Sequence, residues 1–137
     1  MNYWLFKSEP FKWSWAMQVE AAETGTFWNG VRNHLAKQQL MAMKIGDHGF
    51  FYHSNEGLEI VGIVEVIKEY YPDHTDEKGK FGMVDVKAVR AFPRPVSLKE
   101  IKATPALAQM SLVTSMRLSV QPVTQEEWDL VHQMGGV

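Results

Sequence analysis

Glu59-Ile60-Val61-Gly62-Ile63-Val64-Glu65-Val66-Ile67-Lys68-Glu69-Tyr70 reads as one long strand, rich in β-branched side chains. Alternation along it sets Ile60, Gly62, Val64 and Val66 against Val61, Ile63, Glu65 and Ile67, so apolar side chains stand on both faces. A strand of that kind is central in a sheet and covered on both sides. Upstream, His48 to His53 is similarly aromatic and β-branched, and the turn cluster Ser54-Asn55-Glu56-Gly57 joins the two segments as a hairpin. Downstream, beyond a charged loop from Pro72 to Lys80, the stretch Phe81 to Phe92 alternates Val84, Val86 and Ala88 with Asp85, Lys87 and Arg90. It is another long strand, expected to stop at Pro93 and Pro95.

Helices fill the flanks. Asn2 to Phe6 is a first strand ended by Lys7-Ser8-Glu9-Pro10, and Ser14 caps a helix reaching about Glu23 with Trp15, Val19 and Ala22 on one face. Asn33 caps a second helix in which Leu35, Leu40 and Met43 recur at helical spacing before Gly46. Ser97 and Glu100 form a capping box, Thr104-Pro105 starts another short helix, and Arg117 to Val123 is an edge strand interrupted by Pro122. Thr124 to Glu127 opens a terminal helix that points Trp128 and Val131 inward and ends at Gly135-Gly136. The predicted class is α+β: a mixed, largely antiparallel sheet or small barrel with helices on its sides.

The 137 residues, 15.7 kDa, suit a single domain over 1–137, and 45 % apolar with 22 % charged residues suits a soluble globular one. A net charge of -2 argues against binding by broad phosphate neutralisation along a duplex, so any nucleic-acid partner must be gripped locally. The absence of cysteine removes disulfides, thiolate metal sites and thiol nucleophiles. Tyr3 to Phe6 is too short for a signal-peptide core, and no later stretch approaches a membrane span. The expected location is cytoplasmic, or nuclear in a eukaryote. His34, His48, His53, His74 and His132 show no metal-ligand spacing, no glycine loop cradles phosphate, and Asp73 to Glu77 reads as a solvated loop. Neither metal nor cofactor is expected.

Four constellations carry chemistry. Lys7-Ser8-Glu9 offers a cation, a hydroxyl and a carboxylate at a strand exit, although a simple turn uses the same residues. Trp28-Asn29-Gly30-Val31-Arg32-Asn33 sets an indole, a guanidinium and a carboxamide close together. A planar base wants such a face for stacking and such groups on its edge. The plainer alternative makes Trp28 a core plug, Asn33 a helix cap and Arg32 half of an ion pair. In Phe50-Phe51-Tyr52-His53-Ser54 one face belongs to the core, and His53 and Ser54 could stand at a cavity mouth. Ser115 to Val123 contributes Arg117 and two serines before the interrupted strand.

Taken jointly, Tyr3 to Pro10, Trp28 to Asn33, Gly46-Asp47 with Phe51 to Ser54, Gly62 to Val66, and Arg117 to Val123 resemble the EVE domain in order and spacing over almost the whole chain. The resemblance implies a PUA-like fold, a curved mixed β-barrel flanked by helices, related to YTH domains. It also implies recognition of a modified base in DNA or RNA; the oligomeric state stays open, a monomer being favoured, and no membrane partner is expected. By that resemblance Lys7, Ser8 and Glu9 sit beside the pocket and Trp28 is a wall next to Gly30 and Val31. Arg32 and Asn33 add polar contacts, Tyr52, His53 and Ser54 close another side, and Arg117, Leu118 and Ser119 face the same cavity, Arg117 towards phosphate or a base edge. Asn29 stands where many members carry an acid, and the loop from Pro72 to Lys80 is shorter than is common. Two rival classes fit the same residues: a hydrolase of modified nucleosides like some ASCH domains, using Lys7 and Glu9, and a protein-interaction module with exposed aromatics.

Overall fold

A computed structural model describes residues 1–137. The central segment forms β4 (Glu59–Pro72), paired antiparallel to β3 (His48–His53) on one side and to β5 (Gly82–Ser97) on the other. β1 (Tyr3–Ser8) lies parallel to β3, β6 (Val120–Val123) pairs antiparallel to β1, and the two-residue β2 (Thr26–Phe27) pairs with β5. The order is β2-β5-β4-β3-β1-β6. The ladder is therefore an open mixed sheet, and the pairings do not close it into the expected barrel. One edge strand has only two residues, and Pro122 takes a donor from the other.

Helices α1 (Trp15–Glu20) and α2 (His34–Ala42) cover one face, and α3 (Leu98–Lys102), α4 (Ser111–Thr114) and α5 (Gln125–Gly135) cover the other. No helix is long and apolar enough to cross a membrane. Strand alternation divides neighbours between two apolar layers: Phe6 and Phe51 pack with Val64 and Leu40, while Leu5 and Phe50 pack with Ile63 and Val131. A bulge changes the parity read from sequence. Phe51 faces Gly62 and Tyr52 faces Ile60, so Val61 is an extra residue, and Ile60 joins Ile63 on the α5 side. Gly62 stands where a Cβ would meet the Trp15 ring at 2.4 Å, so only glycine lets α1 approach this closely.

Several boundaries move. β1 runs on to Ser8 because Lys7 and Ser8 pair with Tyr52 and His53. β5 passes both prolines: Ala91 pairs with Gly62 and Val96 with Ile60, and Pro93 and Pro95 fall in the unpaired excursion between them, where no ladder donor is required. In α1 the inward residue is Gln18, fully buried, whereas Val19 is exposed. Gln18 Nε2 donates to the Val86 carbonyl at 3.2 Å, and its Oε1 accepts from Trp13 Nε1. In α2 Ala36 is buried and Leu35 exposed. Asn33 caps α2 by accepting from the Ala36 amide, Ser97 caps α3, and Thr124 with Glu127 completes a reciprocal capping box on α5.

Candidate functional site

The parallel pair β1 and β3 ends at Ser8 and His53, and the chain then turns outward on both sides. Crevices outside the carboxyl ends of parallel strands are the natural ligand positions of open sheets. Here the Ser54 amide donates to the Ser8 carbonyl at 2.9 Å, and Asn55 Nδ2 donates to Glu9 Oε1 at 2.9 Å, tying the two departing loops together. Above them opens a cavity of about 850 Å³.

Its polar and aromatic walls come from four segments. Lys7, Ser8 and Glu9 continue β1, with Lys12 and Trp13 in the loop behind them. Tyr52 and Ser54 end β3, Phe27 to Gly30 form a side wall, and Met116, Arg117 and Ser119 form the opposite one. Leu58, Leu98 and Leu112 supply apolar surface. The Trp28 amide bonds the Val84 carbonyl at 2.8 Å, and its indole meets Phe6 and Phe51 edge-on at 5.2 and 5.7 Å between centroids. Trp28 is 8 % exposed, so it is at once a core plug and a wall. Trp13 is a second indole there, fixed by its bond to Gln18 Oε1 at 2.9 Å.

The electrostatics are uneven. Glu9 is the one carboxylate on the wall, and it accepts from Asn55 and pairs with Lys12 at 3.3 Å. Lys7 Nζ donates to the Met116 carbonyl at 2.6 Å, and burial lowers its pKa. Burial raises the Tyr52 pKa, so its phenol stays protonated at neutral pH.

Of the fourteen residues expected to share one site, Lys7, Ser8, Glu9, Trp28, Gly30, Tyr52, Ser54, Arg117 and Ser119 line the cavity. The other five lie off it, each for a physical reason. Val31 and Leu118 are buried in the apolar layer under α2. Asn33 spends its side chain on the helix cap. Arg32 turns away to Asp73 at 3.0 Å and to Thr75 Oγ1 at 3.0 Å. His53 Nε2 accepts from the Trp15 amide at 3.1 Å, and burial lowers its pKa although Glu59 pulls the other way.

Asp73, read from sequence as part of a solvated loop, is the buried anchor of the Trp28 wall. Its Oδ2 accepts from the Gly30 amide at 2.8 Å and from Arg32, and its Oδ1 accepts from the Thr75 amide and hydroxyl. Burial alone would raise its pKa, but these donors hold it at about 2. Gly30 sits at a φ of 83°, which only glycine adopts freely, and so presents that amide. The Asp-x-Thr spacing is the one local hint of this turn. Trp13 and Met116 were also missed, because nothing local to either marks a cavity.

The arrangement of sheet and helices is a fold shared with YTH domains. The YTH domain of Zygosaccharomyces rouxii MRB1, solved with N6-methyladenosine RNA, superimposes with a TM-score of 0.60 at 17 % identity, covering 98 % of this chain and 86 % of that one, a likeness of fold alone. Within that class the chain belongs to the EVE domain family, which matches residues 2–134. Thymocyte nuclear protein 1 of Rattus norvegicus is 42 % identical over 163 residues, 95 % of this chain and 72 % of that protein. A crystal structure of an Agrobacterium tumefaciens protein shares 62 % identity and a TM-score of 0.97 over 100 % of this chain and 94 % of that one. The human THYN1 protein, crystallised with DNA containing 5-methylcytosine, shares 37 % identity and a TM-score of 0.93, covering 100 % of this chain and 99 % of that one.

Proposed function

We propose that the protein is a non-enzymatic reader that holds a modified base of DNA or RNA, flipped out or already unpaired, in the cavity at the ends of β1 and β3. The observation that carries this reading is the pairing of two fixed indoles, Trp13 and Trp28, with hydroxyl and amide groups on one concave wall. Stacking on aromatic faces contributes about 1–3 kcal/mol per base, and edge hydrogen bonds discriminate among bases. The complex of the human relative with 5-methylcytosine DNA supports the choice of ligand class and names the first modification to try. Extrusion costs a few kcal/mol, least for an unpaired base.

Fluorescence anisotropy with matched single-stranded and duplex oligonucleotides, each with and without one 5-methylcytosine, tests it. The expected result is tighter binding of the modified strands, weakened roughly tenfold by Trp13→Ala, which removes a half-buried stacking face at the edge of the apolar core. Equal affinity for modified and unmodified strands refutes it. One observation favours a hydrolase instead, the depressed pKa of Lys7. Against it, Glu9 pairs with Lys12 and not with Lys7. Release of cytidine from an acylated cytidine, abolished by Lys7→Ala, would replace the reader with the enzyme.

A further inference from the structure

We propose that the cavity takes a whole nucleotide and that Lys7 and Arg117 form a seat for its phosphate, an inference that rests on the base-reading role and names its minimal ligand. Charge accounting on the wall leads to it. Lys12 and Glu9 neutralise one another, whereas Lys7 and Arg117 have no carboxylate partner, and Arg117 has no side-chain bond within the protein. Two uncompensated cations thus face one concave space in a chain whose net charge is -2. Walls of low dielectric concentrate such a field on whatever enters. Lys7 is held by the Met116 carbonyl, the residue before Arg117, so the two cations share one stretch of wall. The penalty that burial imposes on the Lys7 ammonium is offset by the charge of an anion alongside. Size agrees: small-molecule sites span about 300–1,000 Å³, and a cavity of about 850 Å³ leaves room beyond one flat ring for sugar and phosphate. Arg32, engaged by Asp73, is not part of the seat.

Calorimetric titration of the intact chain with 5-methyldeoxycytidine and deoxycytidine, their 5′- and 3′-monophosphates, a dinucleotide with one internal phosphodiester, and inorganic phosphate tests the assignment. A phosphorylated form is expected to bind at least about tenfold more tightly than the nucleoside. Arg117→Gln, at an exposed position, is expected to erase most of that gain, with Lys7→Gln as the second variant. A dinucleotide matching the better monophosphate identifies a phosphate within a strand, and a monophosphate that binds better identifies a terminal one. Equal binding of nucleoside and nucleotides, no measurable binding of any of them, or a gain that survives both substitutions overturns the seat. The base-reading role fails separately: a phosphate gain identical for methylated and unmethylated cytosine keeps the seat and removes the reader. Preference for methylated strands without a phosphate gain does the reverse.

Discussion

Asp73 shows how a single carboxylate far along the chain shapes the cavity. Its side chain is sealed from solvent, and it collects the Gly30 amide, the Arg32 guanidinium and both donors of Thr75. In Asp73→Asn, one acceptor oxygen becomes a donor facing donors, and a hydrogen bond to a charged group is worth about 1.5–3 kcal/mol. The variant is therefore expected to lose about 2 kcal/mol of stability at neutral pH and to loosen the loop that carries Trp28. The pH profile separates this role from mere bulk. A folded pKa of about 2 lies below the ordinary carboxylate value of 3.8, so the contribution is complete above about pH 4 and is lost as pH falls through about 2. Urea titrations should show an acid limb in the parent protein that is flattened in Asp73→Asn; parallel limbs would refute the role. Asn33 teaches the opposite lesson. Its carboxamide suits a base edge on paper, but the orphan amide of Ala36 at the start of α2 claims it.

Elements were legible where a local rule governs them. The hairpin of β3 and β4, the cap of α2, and the box that opens α5 all follow from turn and capping chemistry written in neighbouring residues. Tertiary contacts decided the rest. The bulge at Val61 brings Ile60 opposite Tyr52 and into the layer of Ile63, and β5 outlives its prolines because its excursion needs no ladder donors. α1 was misread most, since its inward residue is polar and its first amide is satisfied by His53 on β3 rather than within the helix. That contact has a pH dependence. His53 Nε2 must be unprotonated to accept from Trp15, and burial holds the folded pKa below 6.5, with Glu59 opposing in part. The stabilisation is complete above about 6.5 and disappears as pH falls through the lowered folded value. Hydrogen exchange at the Trp15 amide, corrected for its intrinsic pH dependence, should lose protection on acidification while amides of β4 keep theirs. Protection that persists below the point at which His53 becomes protonated would show that the helix is held some other way.

At the scale of the whole molecule, charge and shape act against each other. The chain is weakly acidic, and the second basic region, around Phe81, carries its own anions: Arg32 and Lys37 lie 5.8 and 5.7 Å from that ring, but Asp73, Asp76 and Glu77 stand among them. The small net charge argues against duplex-wide neutralisation, and the cavity joins distant segments that only the family resemblance groups together. On the proposed base-reading role, binding energy is expected to come chiefly from stacking and edge contacts, with two or three phosphates neutralised near the cavity. Each such contact releases counterions worth about 0.7–0.9 in the slope of log K against log salt, so a modified single strand should give a slope of about −2. Titrations from low to moderate salt measure it directly. Arg117→Gln is expected to make the slope shallower by about one, whereas substitutions of Lys78 or Lys80 are expected to leave it unchanged. A slope steeper than about −5 would require more cations than the cavity owns, and would move the main contact surface to the Phe81 rim.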